Sequence, residues 1–274
     1  MSIVQHQKEC AMNAPVTGTE DLLYSVTDGI ARITFNRPQA RNSLTFGMYE
    51  RLAEICASTG EDRSLKVLIL TGAGDKAFAS GTDINQFRAF KTPQDAIDYE
   101  TRIDRVLGTL EQCSVPTIAA INGVCAGGGA GIAACCDIRI GVRSTKFGFP
   151  IARTLGNCLS TSNLSRLSAL IGAARLKEII FTARLIEAEE AASVGLLNEV
   201  VEDLAALERR ADELARLVAS HAPLTLRSTK QALLRMRPKV SEDDELILMC
   251  YQSRDFREGM DAFLNKRQPQ WTGA

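Results

Sequence analysis

Apolar positions recur at two different periods along the chain, and the alternation between the periods sets the expected fold. Ile30–Phe35 alternates in the manner of a half-buried strand, and Asn36–Arg37–Pro38 supplies the turn that ends it. Behind Thr45, a residue suited to capping, Met48, Leu52, Ile55 and Cys56 fall on one face of a helix. Val67–Leu70 is a continuous apolar run, as in a strand covered on both sides, and it leads through Gly72, Gly74, Phe78, Ser80 and Gly81 to a short helical start at Asp83. Thr92–Pro93 has the chemistry of a cap and first helical residue for a long helix to about Glu111. Thr117–Ile121 reads as a second buried strand, closed by Asn122–Gly123, and the triplet Gly127–Gly129 opens a small-residue helix that ends near Asp137. Extended pieces follow at Ile138–Val142 and Lys146–Phe149. Helices are then expected at Asn163–Ile171, Ala174–Thr182 and Glu187–Val194, a short strand at Leu197–Val201, and three further helices through Asn265. Strands alternate with helices in the first two thirds, which predicts an α/β core over residues 21–203 and a helical region over 204–274. The polar first twenty residues are expected to be a loose extension.

The two strand, glycine loop and helix units suggest chemistry. Glycine lets main-chain N–H groups approach a ligand closely, and the first N–H groups of a helix have no intrahelical acceptor. Two such helix starts aimed at one point would suit an oxygen that carries, or is about to carry, negative charge, as on a reacting carbonyl. The bland alternative is that the glycines only allow tight helix packing. A P-loop is excluded because no Lys–Ser or Lys–Thr follows the triplet, and the spacing fails the dinucleotide fingerprint.

Composition narrows the ligand. A formal net charge of −1 and 5% aromatic residues give no sign of a nucleic-acid surface. The eight cysteines are scattered, with neither metal spacing nor a disulfide framework, which points to reduced thiols and a cytoplasmic protein. No stretch approaches the length of a membrane span, and no membrane partner is expected.

With both loops and the tail in view, the chain resembles the crotonase (enoyl-CoA hydratase/isomerase) superfamily. The resemblance rests on Phe35–Leu44 (FNRPQARNSL), Ala77–Ile84 (AFASGTDI), Ala120–Asp137, Phe147–Gly148, Phe181–Val201 and Asp255–Arg267 (DFREGMDAFLNKR). It implies a spiral of ββα units with C-terminal helices that build a homotrimer or a dimer of trimers. It also implies an acyl-CoA substrate, with coenzyme A entering as part of that substrate and no permanently bound cofactor or metal. By position in the motif, the backbone N–H groups of Thr82 and Gly128 are similar to the family's oxyanion hole. Ala40, Arg41 and Asn42, with Ser80, Gly81, Asp83, Ile84 and Gly127, resemble the cradle for the nucleotide and pantetheine, and Phe263 and Lys266 match the tail-helix pair that reaches the nucleotide end.

The chain departs from the family pattern where a hydratase carries two glutamates: it has Gly131 at one position and Ile151 or Ala152 at the other. Water addition needs proton carriers there, each contributing roughly 10²–10⁴-fold. Asp137 lies about 13 Å beyond Gly128 if the helix runs through it, at 1.5 Å per residue, and Asp83 is better placed to brace its own loop. The loop Ile151–Thr161 offers Arg153, which could hold a substrate carboxylate, and Asn157, which could position water or stabilise an enolate. Each also has a structural reading, as a surface residue and as a residue satisfying its own turn. Cys158 has no histidine near it in sequence, and only His6 and His221 exist, so neither a thiol nucleophile nor a Ser-His-Asp triad has support. The expected chemistry is lyase or isomerase work on an acyl-CoA through an enolate or oxyanion. The alternatives to an enoyl-CoA hydratase-type activity are non-hydratase chemistry, namely decarboxylation, isomerisation or thioester cleavage, and a catalytically silent acyl-CoA binder.

Overall fold

The structure is a computed structural model that describes residues 21–237 and 243–273. The expected N-terminal extension and His6 lie outside the described residues. The chain opens with an antiparallel pair, β1 (Leu22–Thr27) and β2 (Ile30–Phe35), and then the capped helix α1 (Phe46–Ser58). Three ββα turns follow. They are β3 (Val67–Gly72) and β4 (Ala77–Ala79) with α2 (Pro93–Glu111), β5 (Thr117–Ile121) and β6 (Val124–Ala126) with α3 (Gly128–Cys135), and β7 (Ile138–Val142) and β8 (Lys146–Gly148) with α4 (Ile151–Thr154). The remainder is α5 (Thr161–Ile171), α6 (Ala173–Thr182), β9 (Ile186–Glu187), α7 (Ala188–Ser193), β10 (Glu199–Val201), α8 (Leu204–Ala219), α9 (Pro223–Arg235), α10 (Asp244–Tyr251) and α11 (Arg254–Leu264).

Each ββα turn gives one strand to each of two sheets. The larger sheet has the order β1-β2-β3-β5-β7-β10 and is parallel from β2 onward, and the smaller has the order β4-β6-β8-β9. Val67–Leu70 is fully buried, and its alternation divides between two cores. Leu68 and Leu70 face the main core, whereas Val67 and Ile69 meet Leu207, Ala211 and Ala215 of α8. This is the double coverage that a continuous apolar strand requires.

The observed elements depart from expectation in several places: the first four residues of the expected loop Ile151–Thr161 form helix α4, and the strand expected at Leu197–Val201 begins at Glu199. In the smaller sheet only β8 is marked in the sequence, within Lys146–Phe149; β4, β6 and β9 have two or three residues each, too short to show a period, and β1 carries no mark either. The segment Glu187–Val194 begins as strand β9 paired with β8, so its helix starts one residue later, at Ala188. Among the described residues of the tail there are four helices, not three, because Ser253 caps α11 by accepting from the Phe256 N–H and so separates it from α10.

Candidate active site

The two glycine loops meet. Leu44 donates to the Gly81 carbonyl at 2.8 Å and accepts from the Asp83 N–H at 2.9 Å, the pattern of a parallel bridge centred on Thr82. A bridge of this kind uses the residues on either side of Thr82, so its own N–H is directed away from Leu44. A Cβ built on Gly81, which has φ +121°, would lie 4.0 Å from Gly128 N and 3.9 Å from Gly127 Cα. Gly127 ends β6 at φ +51° with its N–H on the Gly148 carbonyl, and Gly128 is the first residue of α3. Among the described residues, neither the Thr82 nor the Gly128 N–H has a protein acceptor.

The bland reading of the triplet is also correct, for a different glycine. A Cβ on Gly129 would come 2.3 Å from the Ala79 carbonyl, so this residue lets α3 pack on β4. On Gly128 it would come 2.0 Å from Tyr49 Oη and 3.2 Å from Thr82 Oγ1. Those two hydroxyls therefore stand where a side chain would be, off the axis of the N–H bond. Thr82 Oγ1 shares hydrogen bonds with Tyr49 at 2.9 Å and Tyr99 at 3.0 Å. Burial pushes both phenols up, against the opposing Thr82 bonds, so they remain protonated at neutral pH.

The turn Ala40–Asn42 is fastened to the second loop. Ser80 N–H donates to the Arg41 carbonyl, and the buried Asn42 accepts from Arg37 N–H while donating to the Ala73 and Ala77 carbonyls. Asn42 is thus a pin for the loops, at φ +54°, and Arg41 beside it is exposed at φ +51°. Asp83 braces its own loop, as expected. Burial disfavours its charge, but the Asn85 N–H and amide and the Arg37 guanidinium hold its carboxyl below the ordinary range. Its neighbour Ile84 opens a short 3-10 helix and is buried. Asp137 accepts from Thr117 and Lys230 and is likewise structural. Phe263 is 51% exposed at the end of α11, with Lys266 following at φ +53°, and no hydrogen bond among the described residues ties either to the glycine loops.

Both positions where a glutamate would be expected are apolar. A Cβ on Gly131 would meet Leu107 Cδ1 at 3.4 Å, and Ile151 is buried, while Ala152 and Arg153 are exposed. The Cys158 thiol shares a hydrogen bond with Cys250, which together with burial and nearby carboxylates pushes its pKa up and keeps it from acting as a thiolate. Among the described residues, no group of three His, Cys, Asp or Glu is placed to hold a metal.

Sequence reasoning passed over a carboxyl that the fold buries. Glu100, on α2 directly after Tyr99, is 4% exposed, and Tyr251 of α10 donates to its Oε1 at 2.5 Å. Asn157 Nδ2 donates in turn to Tyr251 at 3.3 Å, while its Oδ1 is buried with no partner among the described residues. Burial pushes the Glu100 carboxyl up to about 8, against the Tyr251 bond, with Asp104 and Asp243 adding repulsion. Tyr251, which binds the carboxyl, belongs to an aromatic cluster in which the ring of Phe87 is 5.0 Å from that of Tyr99 and 5.9 Å from that of Phe256, and Tyr251 is 4.7 Å from Phe256. A signal existed: Ala96, Glu100, Ile103, Leu107 and Leu110 share the inward face of α2, where an acidic residue is out of place. The loop that carries Asn157 is itself anchored to α2, because Ser160 donates to Asp104 at 2.8 Å and Asp104 also meets Arg166.

This architecture and the paired loops agree with the comparisons. A family model described as enoyl-CoA hydratase/isomerase matches residues 25–274. The short-chain-enoyl-CoA hydratase of Clostridium acetobutylicum is 34% identical over 244 residues, covering 87% of this chain and 92% of the relative. A solved enoyl-CoA hydratase/carnithine racemase from Magnetospirillum magneticum superposes with a TM-score of 0.77 at 36% identity, over 94% of this chain and 97% of that one. A methylmalonyl-CoA decarboxylase, solved in complex with 2-nitronate-propionyl-CoA, reaches a TM-score of 0.83 at 26% identity, over 94% and 100%. The fold is that of the crotonase superfamily, and the chain belongs to the enoyl-CoA hydratase/isomerase family.

Proposed function

We propose that this protein is an enzyme that processes acyl-CoA thioesters, with the N–H groups of Thr82 and Gly128 holding the charge that develops on the thioester oxygen. The observation that carries the reading is the meeting of the two loops, with Gly128 N 4.0 Å from the Cβ position of Gly81 and both N–H groups free of protein acceptors among the described residues. Coenzyme A arrives as part of the substrate. The turn Ala40–Asn42, the loop Ser80–Ile84 and Gly127 form its cradle, and Phe263 and Lys266 serve the nucleotide end from a neighbouring subunit. Arg153, exposed on α4, is left as a contact for substrate carboxylate or subunit. A homotrimer, alone or doubled, would cover the apolar side chains left exposed on the tail helices, among them Leu224, Leu233, Met236, Met249 and Phe263. The seven described cysteines are free thiols, which fits a reducing, cytoplasmic setting.

Reactions that pass through an enolate or tetrahedral oxyanion suit this site, which makes isomerisation, decarboxylation or thioester cleavage better matched than hydration. Hydration would require two proton carriers acting on one water, where Gly131 and Ile151 lie in apolar surroundings, whereas isomerisation needs a single group that removes and returns one proton. That apolar character also favours a second reading, an acyl-CoA-binding member without turnover. The decisive experiment deletes the Gly128 N–H. Because a side chain there meets Tyr49 Oη, the variant is Tyr49→Phe/Gly128→Pro, with Tyr49→Phe as its control. Turnover of an acyl-CoA panel is expected to fall about 10²–10³-fold in the double variant relative to the control. Equal turnover in the two would remove the oxyanion assignment. Tight binding with no product from any thioester in the wild type would establish the silent binder.

A further inference from the structure

The buried face of α2 holds a carboxyl that packing alone does not explain. Glu100 lies among Phe87, Tyr99, Tyr251 and Phe256, with Oε1 bound by Tyr251 and Oε2 without a protein partner among the described residues. A buried carboxyl held by one hydrogen bond is destabilising, and an apolar residue would fill the face at less cost. Next to it, Asn157 aligns Tyr251 with one amide hydrogen and leaves its buried Oδ1 unused. Side-chain contacts link Glu100 to the oxyanion loops. Tyr99, the residue before Glu100, binds Thr82 Oγ1 at 3.0 Å, and its ring is 6.1 Å from that of Tyr251.

We propose that Glu100 is the proton carrier of this site, with Tyr251 and Asn157 as its positioning residues; the inference rests on the acyl-CoA reading given above. On a β,γ-unsaturated acyl thioester, Oε2 takes the proton from the carbon beside the carbonyl. The C–H bond breaks, an O–H bond forms on Glu100, and the electron pair moves onto the thioester oxygen, where the Thr82 and Gly128 N–H groups hold the enolate. The electrons return from oxygen as the same proton is delivered to the γ-carbon. The double bond becomes α,β, the carboxylate is regenerated, and no other reactant is consumed. Tyr251 donates to the carboxylate form and keeps Oε2 turned away from its own bond. The groups that face Glu100 are Tyr251 and Cys250 on α10, Asp243 before it, Asp104 on α2, Tyr49 on α1, and Asn157 and Cys158 on the loop. Their balance leaves a carboxyl that titrates at about 8, near the range in which a base works best.

The test uses the full chain with hexanoyl-CoA as a binding probe by calorimetry and trans-3-hexenoyl-CoA as the reacting probe. Reaction is followed by α-deuteration in D2O by NMR and by ultraviolet absorbance of the conjugated product. Glu100→Gln is expected to bind hexanoyl-CoA within about twofold of wild type and to lose exchange and isomerisation by roughly 10²–10⁴-fold. Wild-type kcat is expected to rise with pH through about 8, because the deprotonated carboxyl is the active form. Tyr251→Phe is expected to move that limb to higher pH, since it removes the bond that favours the carboxylate, whereas a merely structural tyrosine would leave the limb in place. Exchange in Glu100→Gln within tenfold of wild type would overturn the proposal, and so would a wild type that binds hexanoyl-CoA yet exchanges no α-proton. If Glu100→Gln does not fold, an unmoved limb in Tyr251→Phe overturns it instead. A wild type that does not bind hexanoyl-CoA at all would defeat the acyl-CoA reading itself.

Discussion

The two sides of the candidate site are built in different ways. On one side, Gly81–Asp83 and Gly127–Gly129 present main-chain N–H groups, and each loop is fixed by its own short segment together with a strand or turn beside it. On the other, Glu100, Tyr251 and Asn157 come from a helix, a second helix far along the chain and a loop, joined only through side chains. The first side offers a fixed pair of dipoles that no substitution of side-chain chemistry alters. The second offers titratable groups whose charge depends on how completely the fold excludes water.

The sharpest way to break the comparison is to attack the main-chain side. The Tyr49→Phe/Gly128→Pro pair is expected to lose about 3 to 4 kcal/mol of barrier lowering while leaving the fold intact, because proline is tolerated at the first helical position. Circular dichroism alongside turnover separates the two effects. On the side-chain half, Arg166→Ala removes a buried guanidinium that binds Glu111 at 2.7 Å and reaches Asp104 at 3.3 Å. Stability is expected to fall by about 3 kcal/mol in denaturant unfolding, with Glu111 kept partly satisfied by Arg237.

A pH series sharpens the contrast further. The folded-state pKa of Glu100 is raised, to about 8, so its contribution to stability is greatest below the ordinary carboxyl range and is lost as pH rises through about 8. Glu100→Gln does not titrate, so its Tm relative to wild type is expected to be higher at pH 9 than at pH 5. Equal differences at the two pH values would mean that the carboxyl is not held protonated by burial. The smallest effect is expected from Thr92→Ala. It removes the cap on the helix that carries both Tyr99 and Glu100, and should cost about 1 kcal/mol, read by denaturant unfolding.

The same division explains what could be read from the chain before its structure. The caps at Thr45 and Thr92, the doubly covered strand Val67–Leu70 and both glycine loops were legible because each is a local pattern with a local physical cause. Two strands of the smaller sheet were not, since Ala77–Ala79 and Val124–Ala126 are too short to carry a period and are extended because they pair with each other and, for Val124–Ala126, with β8. The Tyr251–Glu100 contact spans 151 residues of sequence, and nothing in either segment names the other. Glu100 did leave one trace, an acidic residue on the inward face of an amphipathic helix. The role of the Tyr49 hydroxyl left none, because it depends on the absence of a Cβ at Gly128.

The central claim is that two separate main-chain segments share one thioester oxygen. A crystal structure of the protein with hexanoyl-CoA tests it directly. The thioester oxygen is expected at about 2.7–3.1 Å from both Thr82 N and Gly128 N. An acyl-CoA bound with that oxygen on other donors, or with either N–H turned away from it, would contradict the account.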